Sequence, residues 1–268
     1  MSSSKVRILV PTSRRKRSGG SRAYTFSEAQ QERTTNRFPS LTTTRRKAVR
    51  ALLSAINGQG QAASIFRAAG ERLEVVTQRN LAFHRAPLLP SIERETGPLF
   101  RELEGERLSR EARCRLRAQL ILVCPLLGLL APTDLVPEYS CPVGAQTRND
   151  VRSLHHLWKP VVTETLNRIC RGRLVFSFLP SRMRSLWRPG ASVGPLVEIR
   201  FVRPVKNGWR HEHAGAGRLS GELLRHILNE GISDVRGLAA FESSGGHRFS
   251  PELSRTEGRE QMLVFARP

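Results

Sequence analysis

The feature that most limits how this chain can fold is a short apolar run, Leu120 to Cys124, followed at once by the Pro-punctuated stretch LLGLLAPTDLVPEYSCPVG from Leu126 to Gly144. The run ends at Pro125 and is far shorter than the roughly 20 residues a membrane-crossing helix needs; it suits a buried strand. The chain then changes direction at Pro132, Asp134 and Pro137 while still carrying Leu126, Leu127, Leu129, Leu130, Leu135 and Val136. A loop this apolar is expected to be pinned to the core. Asp134, between two prolines, offers a short carboxylate that can accept backbone N–H bonds and hold the turn.

The rest of the chain alternates between two periodicities. Val6, Ile8 and Val10 alternating with Arg7 and Leu9 predict a strand that Pro11 ends. Thr42 to Thr44 offer N-caps for a helix with Val49, Leu52, Leu53 and Ile56 on one face and Arg45, Arg46, Lys47 and Arg50 on the other, stopped by Asn57-Gly58. Shorter helices are expected over 62–69 and 71–83, and one from a Ser109 cap leads into the buried strand. Downstream come a helix over 154–169, a strand over 174–179, and two strands, 197–202 and 209–213. These two are joined across Lys206-Asn207-Gly208, where Asn-Gly favours a type I′ turn. A helix over 221–229 and a strand over 262–265 close the list. Strands and helices interleave without a strict βαβ repeat, so the expected fold is α/β mixed: a single compact domain, 1–268, with a mixed β-sheet core wrapped by helices and a basic cleft. Residues 1–4 and 14–22 are expected to be flexible.

The 44 Lys and Arg against 23 Asp and Glu give a formal net charge of +21. That excess exceeds what solubility requires and points to DNA or another polyanion as partner. An Arg-rich composition spread through the chain is the plainer alternative. Cys114, Cys124, Cys141 and Cys170 show no C-x-x-C spacing, and no apolar leader precedes the basic cluster. A cytoplasmic, reducing location is expected, with no membrane partner and no cofactor.

Three places offer chemistry. Arg14, Arg15, Lys16 and Arg17 follow the first strand, where a basic loop is either a solvated charge run or a phosphate site. Gly215-Ala216-Gly217 precedes Gly221 at a helix entrance and admits three readings: amides facing a phosphate, a weak dinucleotide turn, or a turn that merely starts a helix. His211 and His213 share a strand face, as a metal pair would, with no third ligand nearby. Ser13 lies in no nucleophile-elbow pattern, and no carboxylate pair announces acid–base work.

GLLAPTDLVPEY resembles the central signature of the peroxide stress protein YaaA family, a strand running into GLLRPxDxxPxYRL. Other segments resemble that family in the same order: Ile8 to Ser13 with Arg14, Arg15 and Lys16; Arg79-Asn80-Leu81 with Ala86-Pro87; Thr96-Gly97-Pro98-Leu99-Phe100; Leu157-Trp158-Lys159-Pro160; and Gly217-Arg218-Leu219. Departures are Tyr139-Ser140-Cys141 in place of Tyr-Arg-Leu, and small residues, Ala214 to Ala216, where paired Lys is usual. The resemblance implies a part in limiting oxidative damage under peroxide stress, in a family linked to intracellular iron and DNA protection. Non-specific DNA binding would then fall to Arg14, Arg15, Lys16, Arg45, Arg46, Gly215, Gly217 and Arg218. The alternative is an enzyme on a small anionic or nucleotide-like substrate, using Ser13, Asp134, Tyr139, His211 and His213 brought together from strand ends.

Overall fold

The structure, a computed structural model, describes residues 5–23, 26, 37–58, 61–145 and 153–267. In chain order the strands are β1 (Val6–Pro11), β2 (Leu89–Pro90), β3 (Leu120–Cys124), β4 (Gly128–Leu130), β5 (Leu135–Val136), β6 (Leu174–Ser177), β7 (Leu196–Val205), β8 (Gly208–His211), β9 (Arg248–Phe249), β10 (Arg255–Glu257) and β11 (Glu260–Ala266). Among the described residues, nine of these form one mixed sheet along the path β10-β11-β7-β6-β1-β3-β4, with β8 on β7 and β9 on β11, while β2 and β5 pair separately. The central run β11, β7, β6, β1, β3 is parallel throughout. Parallel strands are covered on both faces and therefore read as continuous apolar runs. That is why Ile8-Leu9-Val10 and Leu120 to Cys124 are buried without alternation.

The stretch after Cys124 is more regular than a loop. β4 folds back antiparallel on β3 in the register Leu122↔Leu130 and Cys124↔Gly128. Gly128 sits at φ +74 under the Trp158 ring, where an added Cβ would come within 2.5 Å of Cζ3, so only glycine serves both the backbone and the ring. β5 then pairs with β2 in the register Leu89↔Val136, tying the Pro-rich segment down.

Helices flank the sheet. Thr42–Gly58 follows a 3-10 turn at Pro39–Leu41, so Thr42 to Thr44 lie in its first turn and do not cap it. Ser109 caps Arg110–Gln119 by accepting from Ala112 N at 3.1 Å, and Ser153 caps Leu154–Ile169 by accepting from His156 N at 3.2 Å. The apolar core is one contiguous cluster running from Val6 to Phe265. No described helix is long and apolar enough to cross a membrane.

Three local expectations are corrected. The β7–β8 register pairs Val205 with Gly208, leaving Lys206 and Asn207 as the turn; neither has positive φ, and Gly208 carries it at +116. The turn is therefore not type I′, because the glycine lies one place beyond the central pair. The helix expected from Gly221 begins at Ala216. Finally, residues 14–22 are tied down: Arg17 N donates to Arg94 O at 2.8 Å, and Ser21 and Leu88 exchange backbone bonds at 2.9 and 2.8 Å. The expected flexibility of residues 1–4 concerns positions outside those described.

Candidate functional site

β1 lies between β3 and β6, and the chain leaves it on one side for β3 and returns on the other for β6. Beyond the carboxyl ends of β1 and β6 the connections diverge, which is where open α/β sheets form a crevice. The loop that Pro11 sends into this place carries Ser13 and the four basic residues.

That loop divides its side chains between core and solvent. Lys16 Nζ donates to both oxygens of Glu95 at 2.8 Å and to Ser13 O at 2.6 Å, satisfying all three of its protons. The two charged side chains are 2% and 0% exposed. Ser13 N and Oγ also donate to Glu95, at 2.5 and 2.6 Å. Gly97 permits the approach, since a Cβ there would lie 2.7 Å from Ser13 Cβ. Lys16 Nζ stands 4.9 Å above the Tyr139 ring, and Tyr139 Oη lies 3.0 Å from Cys124 Sγ. Burial pushes the Tyr139 hydroxyl and the Cys124 thiol up, so both stay protonated at neutral pH. Lys16 is therefore an internal ion pair and not a free phosphate ligand, a correction to the sequence reading. Arg14 and Arg15 are exposed. They share a groove of about 770 Å³ with Arg72 and Arg79. Arg79 is engaged by Glu138 at 2.7 Å.

Arg45 is a second correction. It was expected on the outer helix face, yet it is fully buried and donates to the carbonyls of Leu127 at 3.0 Å, Phe38 at 3.2 Å and Leu129 at 2.6 Å. The spacing explains this: 45, 48, 49 and 52 follow one helical stripe, and all four are buried. Burial lowers its guanidinium to about 10. Arg46 is half-buried. Asp134 Oδ2 accepts from Ala131 N at 2.8 Å, and the carboxyl is held at about 6 because burial raises it more than Ala131 and Arg45 lower it. It anchors the turn, as its position between prolines predicted.

The glycine segment is a third correction. Gly217 and Gly221 lie within the Ala216–Glu230 helix, with Gly215 just before it. A Cβ on Gly221 would come within 2.3 Å of Leu99 O, and one on Gly217 within 3.2 Å of Pro98 Cβ. These two glycines let the helix lie in close packing against Pro98–Leu103. Arg218 is engaged by Glu222 and donates to Ser244 Oγ at 2.6 Å.

The five residues of the enzyme reading do not converge. Ser13 and His211 line one cavity of about 280 Å³. His213 stacks on His211 with ring centroids 4.8 Å apart. Asp134 and Tyr139 are buried away from the cavity lining. Among the described residues no group of three or more His, Cys, Asp and Glu has metal-binding geometry. Glu95 and Arg94 escaped the sequence reading. Arg94 donates to the carbonyls of Gly19 at 3.0 Å, Pro87 at 2.8 Å and Val136 at 3.0 Å, tying three segments together. The only signal was adjacency to Thr96-Gly97.

A UPF0246 protein of Shewanella sp. strain MR-4 is 26% identical over 164 residues, 59% of this chain and 63% of that protein. One from Francisella tularensis subsp. novicida strain U112 is 22% identical over 175 residues, 64% of this chain and 67% of its own length. The chain thus spans somewhat under two thirds of the Shewanella relative. The sequence model described as peroxide stress protein YaaA matches residues 6–253, and the chain belongs to that family.

Proposed function

We propose that this YaaA-family protein works in the cytoplasm as part of a peroxide stress response, binding DNA non-specifically through phosphate contacts in a basic groove. One observation carries the reading: Arg14 and Arg15 are exposed at the carboxyl end of β1 with no ion-pair partner among the described residues, on a groove they share with Arg72. Free guanidinium groups in a chain of net charge +21 bind phosphate oxygens and release counterions without reading bases. The contact set is Arg14, Arg15 and Arg72; Lys16 and Arg45 are removed from it because their charges are internal, and half-buried Arg46 because it lies off the groove lining. Gly217 leaves it as a packing glycine, Gly215 because its N–H donates to Glu212 Oε1 at 3.4 Å, and Arg218 because Glu222 already engages it. An enzyme on a small anionic substrate has less support, since the cavity beside Ser13 has no charged lining residue and Ser13 Oγ already donates to Glu95.

Titration of a labelled duplex at increasing salt tests the reading. Affinity should fall linearly on a log–log plot, and Arg14→Ala with Arg15→Ala should flatten the slope by about 2, one per lost phosphate contact. Absence of binding at moderate ionic strength, or salt-independent binding, overturns it.

A further inference from the structure

The 280 Å³ cavity at the carboxyl ends of β1 and β6 differs chemically from the rest of the molecule. In a chain with 44 basic and 23 acidic residues, none of its lining residues is a Lys, Arg, Asp or Glu. Its walls are apolar and stiff, formed by Pro98, Leu99, Phe178, Ile199 and Phe201, with Ala216 and Gly217 where the helix passes. The one titratable lining side chain is His211. Burial, then His213 and Arg200, hold its imidazole below the ordinary value, so the ring is neutral at pH 7. Its Nδ1 is buried without a hydrogen-bond partner in the protein, so the ring must turn in its site before that nitrogen meets a ligand group. Ser13 Oγ is already committed to Glu95.

These features select a ligand by exclusion. A carboxylate or phosphate would enter with no counter-charge and lose its hydration, which is costly without a paired group. A neutral ring loses only unfavourable contact with water. The volume lies at the lower end of small-molecule pockets, which begin near about 300 Å³, so the ligand is one or two rings in size. The position, outside the carboxyl ends of parallel strands where the connections diverge, is where such sheets hold ligands.

We propose that this cavity binds a small, uncharged, largely apolar molecule bearing one hydrogen-bonding group, held between the proline and aromatic walls and directed by His211. The site is distinct from the polyanion groove, with which it shares no lining residue.

Indole serves as the neutral probe and indole-3-carboxylate as its charged counterpart, each titrated into the full chain by calorimetry and followed by the ¹⁵N shifts of the His211 ring. Indole should bind saturably and move the His211 resonances, and the carboxylate should bind more weakly. Ala216→Phe, which fills the cavity, should weaken indole by about tenfold or more, the scale of one lost well-packed contact, while duplex affinity stays unchanged. Ala216→Leu provides a milder filling if the Phe variant does not fold, and His211→Phe should weaken indole while leaving the apolar walls. The proposal fails if indole shows no saturable binding, if the carboxylate binds as tightly, or if cavity-filling leaves indole affinity unchanged. Loss of duplex binding in Arg14→Ala/Arg15→Ala with indole binding intact would separate this site from the polyanion reading.

Discussion

Arg14 and Arg15 on one side, and Lys16 on the other, are consecutive basic residues of one loop, yet they belong to different environments. Arg14 and Arg15 face an open groove. Lys16 turns inward and spends its three protons on Glu95 and the Ser13 carbonyl. The contrast teaches that a charge run is not a single functional unit: what a basic side chain does depends on whether an acceptor set waits for it inside. Arg45 repeats the lesson beside Arg46, since one is a buried clamp on three carbonyls and the other half-buried on the same helix.

The largest expected effect tests the inner half. Glu95→Gln leaves Lys16 buried opposite a neutral amide, and unfolding free energy should drop by about 3–5 kcal/mol, the usual cost of stripping one partner from an internal ion pair. The double variant Lys16→Met/Glu95→Leu should recover much of that loss in urea denaturation. A Glu95→Gln protein as stable as the parent would mean that the loop is not anchored through this pair.

Asp134→Ala should cost about 1–3 kcal/mol, because it removes a charge-assisted bond to Ala131 N and the anion near Arg45; DNA binding should fall only in step with folding. Burial raises this carboxyl from 3.8 to about 6 in the folded chain. Folding therefore takes up a proton there: the stabilisation is fully present below about pH 3.8 and is lost as pH rises through about 6. The stability difference between the parent and Asp134→Asn should shift in the parent's favour between about pH 7.5 and about pH 5. A difference that stays constant across that range would show that the carboxyl titrates normally.

Gly221→Ala extends the comparison to the glycine segment. With Leu99 O only 2.3 Å from the new Cβ, the Ala216–Glu230 helix must shift, at a cost of about 1–2 kcal/mol. A lowered thermal midpoint with unchanged duplex affinity supports packing; the opposite pattern would return this segment to phosphate binding.

The smallest stability effect belongs to the outer half of the loop. Arg14→Ala and Arg15→Ala should each leave unfolding free energy within about 0.5 kcal/mol, with their effect appearing in the salt dependence of DNA binding. A large destabilisation would erase the distinction between the two halves.

Periodicity and composition by themselves determined the mixed α/β class, the buried strand Leu120–Cys124, the helices at Thr42–Gly58, Arg110–Gln119 and Leu154–Ile169, the Ser109 cap and the turn-holding role of Asp134. These depend on neighbours within a few positions, which the chain displays directly. The colinear motifs also placed the chain in its family. The tertiary structure decided the rest. Glu95 meets Lys16 across 79 positions and Arg45 meets Leu129 across 84, so no local pattern marks them as partners. The glycines of Ala216–Glu230 acquire their meaning only when Leu99 is brought against them. The uncharged cavity, too, is assembled from the end of β1, the segment just after β6, β7, β8 and two helices or their ends. Burial is a property of what surrounds a residue, and a side chain with a fixed intrinsic charge becomes a clamp, an internal ion pair or a free contact according to the acceptors that the fold delivers to it.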